Sequence, residues 1–276
     1  MKRVLRSIYG QSVGTVDDYR LLAAAGLLTG SWGKQMPIAD LNQVVTFDDF
    51  NDATILGTWG VNKGTDAAAA NFACPAAGGA SGVIVGTTGA TTNSMAGSGI
   101  EITNSLSYQA QTAAGSGATN PSNNLEFDCR LQLSAITNVV LFVGLTNALS
   151  TTLQMPIQGA GGGNGFTKNA NDAVGFLFDT AMTTADWWTI GAKGGTLTAG
   201  QDSGSGPTAA AYDQFHISVD QSGQATFFRN GAQVGVQIPN SITPNVLLTP
   251  VVAAFSHTAA SRNVTVDYIM ASMNRV

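Results

Sequence analysis

Charge is scarce in this chain. Of 276 residues, 11% are charged and the formal net charge is −5. A nucleic-acid binder concentrates lysine and arginine in a basic patch, so the composition excludes that class of partner. Histidine is scarcer still: His216 and His257 are the two in the sequence. Two dispersed histidines and two dispersed cysteines make no recognisable zinc spacing, and no metal is expected on that ground. Long apolar runs are missing too. None approaches the roughly 18 residues that a membrane-spanning helix needs, so no membrane partner is expected. The N-terminal MKRVLRSIYGQSVG starts basic, but Gln11, Ser12 and Gly14 interrupt any apolar core, which argues against a cleaved leader. Without export, Cys74 and Cys129 are expected as two free buried thiols, with a pairing open only if the fold brings them together. No fixed-period repeat is visible, which disfavours a propeller or solenoid.

What the chain has in quantity is glycine (33 residues) and small polar side chains. That composition suits short strands separated by tight turns. In Tyr212 to Val236, Phe215, Ile217 and Val219 point one way, while His216, Ser218 and Asp220 point the other. Asn230-Gly231 then signals a type I′ hairpin, because that turn needs positive φ at both central residues. LEFDCRLQL (125–133) alternates in the same way, with Leu125, Phe127, Cys129, Leu131 and Leu133 facing in. NVVLFVGLT (138–146) is almost continuously apolar and reads as a central strand. Further strands are expected at 44–47, 58–61, 83–88, 99–103, 174–179, 187–192, 247–255 and 263–273; the last loses its alternation near Tyr268 and Ile269. Residues 66–71 are compatible with strand or loop. Residues 110–124 and 193–207 read as loops, and 158–164 as a flexible loop or lid. About a dozen strands and no convincing helix after residue 44 predict an all-β fold, a two-sheet antiparallel sandwich.

Residues 1–43 differ from the remainder and are assigned to an N-terminal docking arm, with the sandwich over 44–276. Five basic residues against three acidic ones give the segment before Val45 a net charge of +2, leaving −7 for the rest. Thr15 and Asp18 form a capping box that predicts one short helix from Val16 to about Ala25. The apolar residues here are too few for an independent core. The candidate docking residues are Lys2, Arg3, Leu5, Arg6, Ile8, Tyr9, Leu21, Leu22, Leu27, Leu28 and Trp32, packed on a partner or on the chain's own sandwich.

The order of elements resembles a concanavalin A-like (laminin-G-like) jelly-roll domain over residues 44–276. An early F-DDF and W segment, LEFDCRLQL paired with NVVLFVGLT, VGFLFD, the F-x-I-x-V-D … F-F-x-N-G hairpin and the closing VDYI carry the likeness. The resemblance implies a jelly roll, a fold that hosts lectins, hydrolases, adhesion modules and viral proteins alike. The Ala/Thr/Gly/Asn-rich style and the separate arm look similar to tailed-phage capsid decoration (cement) or fibre proteins. That likeness implies a non-enzymatic structural protein of the virion, assembled in the host cytoplasm. Its arm would dock on the major capsid protein, on other virion proteins or on sister copies in a homo-oligomer. The alternative is a carbohydrate-binding, host-attachment module with a surface glycan as partner.

Few residues are candidates for chemistry. Family-16-like glycosidases carry E-x-D-x-E on one strand; the nearest match is Glu126-Phe127-Asp128-Cys129-Arg130, where Arg130 replaces the third carboxylate and its general acid. A polar, salt-bridged strand face is the plainer reading. His216 is expected on a solvent-facing strand face as an incidental residue and His257 at a strand end, neither beside a nucleophile motif. Asp48, Asp49, Asn51 and Asp52 form an acidic turn, solvated or calcium-binding, without the spacing of a calcium loop. No phosphate-cradling glycine motif occurs in the right context, so no cofactor is expected. Aromatic residues remain for stacking on sugar rings: Trp187, Trp188 and Tyr212 are the candidate ligand-binding residues. Adjacent Trp187 and Trp188 must face opposite ways, one into the core and the other exposed or covered.

Overall fold

The alternating stretches and the continuous apolar stretches fold into two different kinds of sheet. The computed structural model describes residues 43–274 apart from 51–54, 56–57, 67–70, 76–81, 105–106, 111–123, 149–152 and 258–259. The arm helix and every arm residue named above lie outside the described residues, as do Asn51, Asp52 and most of the 110–124 loop. The compact β-unit spans Val45–Met273.

In chain order the strands are β1 (Gln43–Asp48), β2 (Trp59–Lys63), β3 (Asn71–Ala73), β4 (Ile84–Thr87), β5 (Ile100–Asn104), β6 (Leu125–Leu133), β7 (Val139–Thr146), β8 (Ile157–Gly159) and β9 (Phe166–Lys168). They continue as β10 (Ala173–Asp179), β11 (Trp187–Lys193), β12 (Thr196–Leu197), β13 (Gln201–Asp202), β14 (Tyr212–Val219), β15 (Ala225–Arg229), β16 (Ala232–Gln233), β17 (Thr249–Ser256) and β18 (Asn263–Asn274). The first sheet runs β16-β15-β14-β6-β18-β4-β3, with β1 also paired to β18. The second runs β12-β11-β10-β7-β17-β5-β2, with β13 also on β11, and β8 and β9 form a separate hairpin. The two large sheets pack as an antiparallel sandwich of jelly-roll type. Phe176 of the second sheet meets Phe215 of the first at 4.8 Å between ring centroids, and Trp187 meets Phe215 at 4.7 Å. Each such ring contributes about 1.5–3 kcal/mol by leaving water.

Burial follows the sequence pattern. Along β6 and β14 every second residue is buried and the others are half-buried, as expected of a sheet with one wet face. β7, β10 and β17 are buried at every position. The reason is a second apolar layer. Met155, Ile157 and Ala170, with Phe166 alongside, cover Phe142, Leu177, Trp188 and Ile190 on the outer face of the second sheet. The 158–164 segment expected as a flexible loop or lid therefore begins inside β8, in a hairpin whose apolar residues need burial. Gly159 N donates to the buried Asp179 Oδ2 at 2.9 Å and fastens that hairpin to β10.

The meander closes as its turn residues require. Asn230 and Gly231 have φ of 51° and 82°, the left-handed pair of a type I′ turn. β18 loses register between Val266 and Tyr268, a bulge that sets two residues against one of β6. Val266 and Ile269 stay buried, so the intervening Asp267 and Tyr268 both leave the core side.

Three expectations need correction. Residues 193–207 are more than loop, since β12 and β13 pair there with β11. Among the described residues after 44 one helical turn occurs, α1 (Met95–Ser98), capped by Ser94 Oγ accepting from Gly97 N at 3.1 Å. Of the two cysteines Cys129 alone is buried, while Cys74 is half-buried just past the short strand β3.

Candidate functional site

The outer face of the first sheet is where sequence alternation leaves polar side chains, and there they converge. Ser218, His216 and Gln214 of β14 lie opposite Glu126, Asp128 and Arg130 of β6, pair by pair. On the other side of β6, Tyr268 and Met270 of β18 lie opposite Arg130 and Asp128. Phe228 of β15 lies opposite His216.

His216 is the centre. Its Nδ1 is 3.2 Å from Asp128 Oδ2 and its Nε2 is 3.3 Å from Glu126 Oε2. Hydrogen bonding to Asp128 and then to Glu126 raises its pKa to about 9, against the opposing effect of burial. At neutral pH it is a cation clamped between two carboxylates. Asp128 Oδ1 also accepts from Gln214 Nε2 at 3.0 Å and from the Tyr268 hydroxyl at 2.7 Å. Glu126 Oε1 accepts from Ser218 Oγ at 2.8 Å. Burial, with the Asp128 charge next in weight, pushes the Tyr268 phenol up, so it stays a donor.

Arg130 completes the row. Its Nη1 is 2.5 Å from Asp267 Oδ2, and its guanidinium carbon sits 4.2 Å from the Tyr212 ring centroid. The bulge makes this possible, because it lets Asp267 reach Arg130 while the next residue, Tyr268, reaches Asp128. Aromatic rings border the polar group: Phe228 lies 5.4 Å from His216 and Phe47 5.9 Å from Tyr268. Phe47 is exposed and Tyr212 half-buried.

Glu126 and Asp128 both accept hydrogen bonds here, whereas glycoside cleavage needs a carboxyl that donates a proton. Burial does push the Glu101 carboxyl up, partly offset by Asn62 Nδ2 at 3.2 Å. Glu101 lies on β5 of the second sheet and cannot flank a bond held on the first, because packed sheets stand about 10 Å apart. Among the described residues no group of three or more His, Cys, Asp or Glu is arranged for a metal ion. Asp48 of the acidic turn is spent on Phe50 N at 2.8 Å and Trp59 Nε1 at 2.7 Å.

The tryptophan candidates do not reach this face. Trp187 is fully buried in the sandwich core, where its Nε1 donates to Asp213 Oδ2 at 3.2 Å. Trp188 points the other way and is covered, with Phe166 of the β8–β9 hairpin edge-on at 5.4 Å. Both are structural, which corrects their assignment as ligand-binding residues; Tyr212 alone of the three lies in the site. His216 is solvent-facing as predicted, but its place between two carboxylates is not incidental. His257 does sit just past the end of β17, with Nε2 2.7 Å from Asp179 Oδ1 and Nδ1 2.8 Å from Asn93 Oδ1, a junction that ties three loops together. Sequence reading missed Gln214, Ser218, Tyr268, Phe47 and Phe228. Aligning the outward positions of LEFDCR and QFHIS would have set Ser218 opposite Glu126, and Gln214 opposite Arg130 one step diagonal to Asp128.

No protein-family model and no curated protein sequence matches the chain. Solved structures do. A β-glucanase of Bacillus licheniformis superposes with a TM-score of 0.54 at 10% identity, covering 82% of this chain and 97% of that one. The carbohydrate recognition domain of Emp47p gives 0.53 at 10% identity, over 86% of this chain and 99% of its own. A β-1,3-glucanase of Mycobacterium marinum gives 0.51 at 9%, over 82% and 97%. At these identities the likeness is one of fold alone, an antiparallel two-sheet jelly-roll sandwich.

Proposed function

We propose that this sandwich is a carbohydrate-binding module, and that the outer face of the first sheet is its binding platform. The observation that carries the reading is the clamped His216. A cation, two carboxylates, an amide, hydroxyls and a guanidinium share one sheet face, bordered by the rings of Phe47, Tyr212, Phe228 and Tyr268. Sugars need both kinds of group, since hydroxyls take directed hydrogen bonds and ring C–H faces lie on aromatics. Neighbours of the same fold named as glucanases and a carbohydrate recognition domain support a glycan ligand. Arg130 in place of a third carboxylate, and acceptor roles for Glu126 and Asp128, favour binding without cleavage.

The docking residues of the arm lie outside the described residues, and the solved structures named above are glucanases and a carbohydrate recognition domain. The glycan reading therefore takes precedence over the docking one. The test is a binding screen of the full chain against soluble β-glucans and a glycan array, with His216→Gln alongside. Specific binding weakened at least tenfold in the variant is expected. A wild-type chain that binds no glycan, or a variant that binds as well as wild type, would sink the proposal.

A further inference from the structure

A concavity lies along the edge of the second sheet. It is an open cleft of about 590 Å³ between the β11–β12 turn and the segment that leads from β16 to β17. The volume falls within the range of small-molecule sites. Leu197 and Ile238 give it an aliphatic floor, and Lys193, Thr196, Gln201 and Asn240 give it a polar rim.

One buried carboxylate ties the two walls together. Asp172, itself buried, accepts from Gly194 N at 3.2 Å on one wall and from Thr243 N at 2.6 Å on the other. Its charge is thus spent on backbone donors behind the cleft. Lys193 Nζ bridges the two walls to Asn240 Oδ1 at 2.7 Å, and Gln201 Oε1 accepts from Val236 N at 2.8 Å. Both amides use their oxygen as acceptor, so the NH₂ group is what each has left to offer a ligand. The lysine ammonium likewise has three protons and one of these partners.

The charge balance is unusual for so acidic a chain. Among the described residues no aspartate or glutamate lines the cleft. Of the five lysines in the sequence, Lys193 lines it and Lys168 reaches the adjoining turn, where a Cβ on Gly195 would sit 3.6 Å from its Nζ. One lining cation with a second beside it, two amide NH₂ groups, no lining carboxylate and a small aliphatic floor favour a ligand with negative charge, acceptor oxygens and an apolar ring face.

We infer that this cleft is a second saccharide site, independent of the platform on the first sheet, and that it takes a carboxylate-bearing sugar of the uronic acid class. The carboxylate would pair with Lys193, ring hydroxyls would accept from Asn240 and Gln201, and a C–H face would lie on Leu197 and Ile238. The test titrates the full chain, at low salt, with a glucuronate-containing disaccharide, its neutral glucose counterpart and sodium sulfate, read by heteronuclear NMR. The acidic disaccharide should shift resonances of residues 193–201 and 238–243 and bind at least tenfold more tightly than the other two. Lys193→Met should raise its Kd at least tenfold with an unchanged Tm, while His216→Gln should leave it unaltered. Equal binding of the neutral disaccharide, equal competition by sulfate, or indifference to Lys193→Met would overturn the inference. So would loss of binding in His216→Gln, which would place the ligand on the other face.

Discussion

On the first sheet, β6 presents Glu126, Asp128 and Arg130 half-buried at its outward positions; on the second, β7 presents Val140 and Phe142, both fully buried. These two strands share a sandwich and an inward apolar register. They differ in what lies beyond the outer face, water on one side and the β8–β9 hairpin layer on the other. One sandwich can therefore carry a wet recognition face and a dry structural face. Which is which is decided by the residues at every second position.

The comparison can be broken most forcefully on the dry side. Phe142→Ala removes a fully buried ring from beneath the hairpin layer and should cost about 3–5 kcal/mol. Trp188→Ala should cost a similar amount, about 3–5 kcal/mol, because Phe166 and its neighbours seal that ring. Denaturant melts measure both. Glycan affinity of the folded fraction should not change in either variant, and a drop in affinity with Trp188→Ala would restore tryptophan to the site.

Smaller effects sharpen the wet side. His216 has a folded pKa raised to about 9 from 6.5, so the stability it contributes is complete below pH 6.5 and disappears as pH rises through 9. Its side chain is 34% exposed, and solvent screening trims the contribution to about 1 kcal/mol. Melting temperature should fall between pH 6.5 and 9 in the wild type, with a flatter profile over that window in His216→Gln. Tyr268→Phe removes the hydroxyl that donates to Asp128 and should cost about 1 kcal/mol or less of stability. Its effect should be larger on glycan affinity, which calorimetry compares directly. Phe228→Ala, at the border of the face, should alter stability by less still.

Much of the fold was legible because period-two alternation and an Asn-Gly turn are local signals. LEFDCRLQL and NVVLFVGLT announced one-sided and two-sided burial before any contact was known. The site was less legible because it is assembled across strands. Asp128 and His216 stand 88 residues apart and meet through register alone. The bulge that frees Asp267 and Tyr268 together showed in the sequence as lost alternation, without revealing what those residues reach. The tryptophans misled for a physical reason: a large amphipathic ring suits a sugar platform and a sealed core equally well, and Phe166, remote in sequence, settles which. The arm 1–43 carried the docking expectation, and its residues 1–42 lie outside the described residues.

The central claim is that the outer face of the first sheet recognises a glycan around a clamped histidine. Its most direct test is an NMR titration of the full chain with the best glycan from the screen, following backbone amides and the His216 ring. The account predicts shifts concentrated at Glu126, Asp128, Tyr212, His216 and Tyr268, with the ring staying protonated at pH 7. Shifts confined to other surfaces, or an imidazole that is neutral at pH 7 and indifferent to the ligand, would contradict it.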